Sequence, residues 1–371
     1  MNYPLFDREK LFIRSVIERK NKVVVEQEII SPLQIPNSLS KESQSVINLT
    51  VDRIRKAKEK KSSMILTFGA HTIKNCMAPT LIELIKGGWV THLATNGAGI
   101  IHDWEIAFQG KTSEDVKANV DRGQFGIWEE PGFYINLAII VGAFEEIGYG
   151  ESVGKMIACE GLQIPETGTL YDFAQKNMES YPDKAASAID LAKVIKRYNL
   201  KTGFMPIPHP FKQYSIQAQA YNSGIPFTGH PMFGHDIIYT HPVNSGAAIG
   251  RTALIDFLRF AESIVNLDYG VYMSVGSAVM SPMIFEKALS MSQNLKIKDG
   301  KHIDNHYILV VDLAESDWDW QKNGEPPKNN PAYYLRYCKT FHRMGGEMHY
   351  LTSDNRSFLL TLYQKLIEHN Y

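Results

Sequence analysis

Residues 62–104 read SSMILTFGAHTIKNCMAPTLIELIKGGWVTHLATNGAGIIHDW. The run SMILTFG at 63–69 is short, apolar and closed by a glycine, the pattern of a strand buried on both faces of a parallel sheet. Residues 76–86 (CMAPTLIELIK) have helical spacing, with Pro79 near the start. WVTHLATNGAG at 89–99 is a second strand ending in a glycine turn, and residues 100–108 begin another helix. The same rhythm continues outward. Further strands are expected at KTGFMPIP (201–208), SGIPFTGHP (223–231), DYGVYMSVG (268–276), HYILVVDL (306–313) and GEMHYLTS (346–353). Helices are expected at 185–197, 211–221, 247–264, 283–293, 331–343 and 356–369. Short apolar strands separated by longer amphipathic helices define an α/β fold with a mainly parallel sheet and helices on both faces.

Upstream of this rhythm, residues 1–61 read as an appendage. They hold a short helix at 11–19, a strand in VVVEQEII, a Pro/Asn/Ser-rich loop and a basic amphipathic helix at 46–60. Residues 62–371 read as one nucleotide-binding and catalytic domain. Two polar stretches interrupt it: 111–131, suited to a mobile cover, and 317–331, a turn-rich loop carrying DWDW. With 39 Lys+Arg against 40 Asp+Glu, the chain lacks the surplus of cations that general nucleic-acid binding needs. Its three cysteines form no CxxC pair, and MNYPLFDREKLFIRS is charged too early for a secretory leader. The most apolar stretch, 133–144, is too short to span a bilayer. A cytoplasmic protein is the expectation.

In an open parallel sheet, ligands bind beyond the carboxyl ends of the strands. This rule selects His71 after the first strand and the turn Asn96-Gly97-Ala98-Gly99 after the second. In that turn, glycine lets backbone approach a nucleotide closely; glycine placed only for helix–strand sterics is the alternative. His102 and Asp103 follow in the first helical turn, as a proton-transfer group and a substrate contact, or as capping residues. Ser274, Gly276 and Ser277 end another strand and would hold phosphate or ribose, or serve as an ordinary turn. GHPMFGHDIIYTHPVNSG (229–246) is the densest polar cluster, with His230, His235, Asp236, His241 and Asn244. Asp236 is suited to pairing with an amine and His241 to moving protons, with His230, His235 and Asn244 as substrate contacts. No spacing matches a defined metal motif, and no resident metal is expected.

Three colinear blocks resemble the deoxyhypusine synthase family: 62–104, IPFTGHPMFGHDIIYTH at 225–241, and Asp268-Tyr269-Gly270-Val271-Tyr272-Met273. The resemblance implies a Rossmann-like parallel sheet that binds NAD, assembly as a homodimer or homotetramer, and acid–base chemistry around His71, His102, Asp236 and His241. It aligns Gly97, Ala98 and Gly99 with an NAD-contacting turn, and Asp236 with the carboxylate that holds the substrate amine. At the position of the family's imine-forming lysine this sequence has Gln293. The expectation is therefore a divergent relative: an NAD-binding enzyme acting on an amine or alcohol. The alternatives are a catalytically silent scaffold, or a metal-dependent hydrolase using His209, His230, His235 and His241.

Overall fold

Six of the eight expected strands form one parallel sheet in the computed structural model, which describes residues 3–368; in VVVEQEII only the start is a strand, Asn21–Val24, paired antiparallel with Lys111–Glu114. The six are Met64–Phe68 (β1), His92–Asn96 (β2), Phe227–His230 (β3), Val271–Val275 (β4), Tyr307–Asp312 (β5) and Glu347–Thr352 (β6). The spatial order is β6-β5-β4-β1-β2-β3. The chain lays down β1, moves outward through β2 to β3, then returns to the other side of β1 for β4 and moves outward again. This is the doubly wound, Rossmann-type order, and its switch point lies between β1 and β4. There Phe68 is in register with Val275 on one side and Thr95 on the other.

The central strands are continuous apolar runs because both faces are covered. On one face Ile65, Tyr272, Ile308 and Val310 join the helical residues Phe260, Phe285 and Phe341 in a single buried cluster. The intervening Leu66, Met273 and Leu309, also buried, point to the opposite face by the two-residue period of a strand. The helices Lys41–Lys60 and Asn355–Ile367 pack on the sheet as well.

The chain divides into two units. The second comprises 28–99, 219–230 and 256–368 and contains the sheet. The first comprises 3–27, 100–218 and 231–255. It is mainly helical, with Glu129–Glu145, Tyr149–Cys159, Thr167–Asn177 and Pro182–Arg197 as its longest wholly internal helices. The first sixty residues are thus shared: 3–27 belong to the first unit and 28–61 to the second.

Four local expectations change. KTGFMPIP joins no parallel sheet; Gly203–Pro206 pairs antiparallel with Gly161–Ile164. Its alternating exposure is that of a half-buried edge, and Pro206 has no N–H to extend a ladder. The short helix at 11–19 is replaced by two single turns, Arg8–Lys10 and Val16–Glu18, capped by Asp7 and Ser15. The stretch 111–131 is held in place. Glu114 accepts hydrogen bonds from Asn119 Nδ2 (2.7 Å), Gly126 N (3.1 Å) and Trp128 Nε1 (3.1 Å). The last helix ends at Ile367, and residue 369, to which it was expected to run, lies outside the described residues. No helix among the described residues is long and apolar enough to cross a membrane.

Candidate functional site

The switch point of the second unit opens into a crevice of about 190 Å³ at the carboxyl ends of β1, β4, β5 and β6. His71, Asn75, Gly276, Asp312, Ser353, Asp354 and Asn355 supply its polar lining. Each is placed by local chemistry. Gly69 lets the turn after β1 pass against the turn after β4, since a Cβ on Gly69 would sit 2.1 Å from the Gly276 carbonyl oxygen. His71 begins the single turn His71–Lys74 and is exposed. Asp354 caps Asn355–Ile367, accepting from Ser357 N at 2.8 Å and Ser357 Oγ at 2.7 Å, so its carboxylate is oriented. Asn75 Nδ2 donates to Asn355 Oδ1 at 2.8 Å, joining the loops after β1 and β6. Gly276 has φ of 58°, and nothing lies within 4 Å of where its Cβ would be.

Of the residues expected from sequence, His71 and Gly276 line this crevice. Ser274 is buried in β4, and Ser277 Oγ accepts the backbone N–H of Ser281. The turn after β2 is closed by its own residues: Asn96 Oδ1 accepts from Gly99 N at 2.9 Å, and a Cβ on Gly99 would lie 2.2 Å from Thr95 Oγ1. Gly97 and Ala98 lie between them at the start of the helix Gly97–Gln109. His230 is buried and bonds through Nε2 to Thr228 Oγ1 at 2.9 Å. The same hydroxyl contacts His92 Nε2 at 2.9 Å, and His92 Nδ1 contacts Ser263 Oγ at 2.8 Å. Burial holds both imidazoles down to about 3, so they are neutral.

His102, Asp103, His235, Asp236, His241 and Asn244 belong to the first unit. Asp103 is fully buried and accepts from Ser215 Oγ, Ile216 N, Gln217 N and Gln217 Nε2, capping the helix Ile216–Asn222. Burial raises its carboxyl against the lowering effect of those bonds. His102 Nδ1 lies 2.6 Å from Thr112 Oγ1, which donates to Glu105. Burial would raise the Glu105 carboxyl, but Arg19, 2.6 Å away, and the bonds from His102 and Arg19 hold it at about 2. His241 is buried; its Nδ1 accepts Val243 N–H, so the ring proton sits on Nε2 and is donated to Glu129 at 3.3 Å. Asn244 bridges Asn136 and Arg8. His235 is exposed. Asp236 Oδ2 has no hydrogen-bond partner among the described residues, and burial pushes this carboxyl up to about 7. Among the described residues no three His, Cys, Asp or Glu side chains group as a metal site.

Asp312 and Asn355 escaped the sequence reading of site residues. Asp312 ends an apolar strand, so the rule that selected His71 would have found it.

No family model matches the sequence, and no curated protein matches it. Distant structural likeness extends to a conserved candidate LOR/SDH protein from Methanococcus maripaludis S2, with TM-score 0.42, 11% identity, and coverage of 92% of this chain and 72% of that one. AgrE in its ternary complex with ornithine and NAD+ gives TM-score 0.42 and 14% identity over 90% of this chain and 34% of that one. A candidate deoxyhypusine synthase from Entamoeba histolytica gives 0.37 and 10%, over 88% of each chain. The chain thus spans about a third of the length of AgrE. Likeness at this level carries nothing about chemistry, and the fold class rests on the strand order itself.

Proposed function

We propose that this chain is an enzyme that holds a small hydroxyl- or amine-bearing molecule in the switch-point crevice of its second unit, and that NAD is its cofactor in acting on an amine or alcohol. The observation that carries this reading is the coincidence of the doubly wound switch point with a polar crevice. Two carboxylates, two carboxamides, one hydroxyl and one imidazole line it, with no Lys or Arg among the described residues. Such a lining accepts hydrogen bonds from a ribose diol or an ammonium group. The open space above Gly276 leaves room for a ligand to meet the backbone.

The same lining does not suit a diphosphate. Among the described residues no Lys or Arg lines the crevice, Gly69 is committed to the contact with Gly276, and the helix that follows is a single turn. NAD would therefore enter by a ribose or its nicotinamide end, and when bound it supplies a hydride acceptor. His71, exposed at the rim, is the group positioned to exchange a proton with bound substrate and water. Asp312 and the oriented Asp354 would hold a substrate cation or hydroxyl.

Titration of the full-length protein with NAD, followed by thermal unfolding, tests the reading. Ligand at a hundredfold excess over its Kd adds about 2.7 kcal/mol to stability. Asp312→Asn should weaken that stabilisation. No shift at millimolar NAD, or a shift indifferent to Asp312→Asn, would rule it out.

A further inference from the structure

The first unit carries a second cavity, of about 580 Å³, walled by residues 11–20 and 115–128. Its walls are fixed to each other: Glu129 N donates to Arg14 O at 2.8 Å, and Ser15 Oγ and Val16 N both donate to Glu130 at 2.6 Å. Four cationic side chains line it, Arg14, Arg19, Lys20 and Arg122, against the carboxylates Glu18 and Asp115. Asp115 is already engaged, by Lys22 at 3.1 Å and by the backbone N–H of Ala118 at 3.0 Å. Arg19 is buried and its charge is met by Glu105, but its guanidinium is incompletely bonded. Nη1 goes to Glu105, Nε goes to Asn21 Oδ1 at 2.9 Å, and Nη2 has no partner among the described residues. Arg19 Nη2 is shielded from the cavity, so the exposed cations carry the charge that the cavity presents.

We infer that this cavity binds a small phosphorylated molecule. Three exposed cations, Arg14, Lys20 and Arg122, face one uncommitted carboxylate, Glu18, which leaves about two positive charges. A phosphate monoester carries close to two negative charges near neutrality and three strong acceptor oxygens. A carboxylate would leave one charge unmatched. Trp128, held by its bond to Glu114, supplies an apolar wall for the rest of the ligand. The inference is independent of the reading of the second unit.

Calorimetric titration of the full-length protein with inorganic phosphate, and separately with succinate, tests it. Saturable phosphate binding is expected, weakening with salt, and the double variant Lys20→Ala, Arg122→Ala should lose about tenfold or more in affinity without a change in thermal unfolding. Asp312→Asn, in the second unit, should leave phosphate affinity unchanged. No saturable phosphate binding, phosphate binding untouched by the double variant, or succinate bound in preference to phosphate would each overturn the proposal.

Discussion

In the second unit two imidazoles buried at the sheet, His92 and His230, are kept uncharged beside hydroxyl partners. In the first unit buried charge is retained and paired, Arg19 with Glu105, each side chain 1% exposed. The ligand-sized spaces differ in the same sense: the crevice is lined by carboxylates without cations, the cavity by cations in excess. A unit that buries neutral imidazole depends on low proton concentration. A unit that buries an ion pair depends on both partners being present. The contrast makes the two units separately addressable by mutation.

The largest effect should come from breaking the ion pair. Arg19→Ala leaves Glu105 charged and buried and should cost about 3–5 kcal/mol in denaturant unfolding, with part recovered by adding Glu105→Gln. Next is Gly69→Ala, whose new Cβ meets the Gly276 carbonyl at 2.1 Å. Overpacking of this kind costs about 1–3 kcal/mol and should loosen the crevice. A backbone that absorbed the methyl group without loss of stability would refute the close approach.

Acid then separates the buried imidazoles of the sheet from Asp236 by sign. His92 and His230 are held near 3 in the folded protein against an ordinary 6.5, so the unfolded chain binds more protons between those values. Stability should fall as pH drops from about 6.5, by up to about 1.4 kcal/mol per pH unit for each histidine. Asp236 runs the other way. Its carboxyl is raised from 3.8 to about 7, so the folded protein holds the extra proton and stability is lost as pH rises between those values. Asp236→Asn should therefore stabilise at pH 8 and do little at pH 4; a reversed pattern in thermal melts would show that Asp236 is charged in the fold. The smallest effect on stability is expected for His71→Ala. This exposed side chain should leave the melting temperature within about 1 °C of the parent while lowering turnover about a hundredfold, once a substrate is in hand.

The sheet was legible because its strands are short apolar runs closed by Gly or a polar residue, and the six real strands include both that open the quoted segment. The strand-end rule also selected His71 and Gly276, which the structure brings to one crevice. At Asn96–Gly99 the glycine answers to Thr95 and the asparagine caps its own helix, a use of the turn that composition cannot distinguish from ligand contact. The first unit was less readable. Glu129–Glu145 is apolar on all sides because it is largely buried, so its periodicity names no face. The partners of Asp103 and Glu105 lie up to 114 and 86 residues away, beyond the reach of local pattern.

The meeting of Gly69 with the Gly276 carbonyl has a consequence for selectivity. The contact leaves no room between the two turns, so a ligand of the crevice would sit above Gly276. Ligands would be sorted by what passes above it, and a broader substrate range could arise only through changes on the far side, in the loops carrying Asp312 and Asp354.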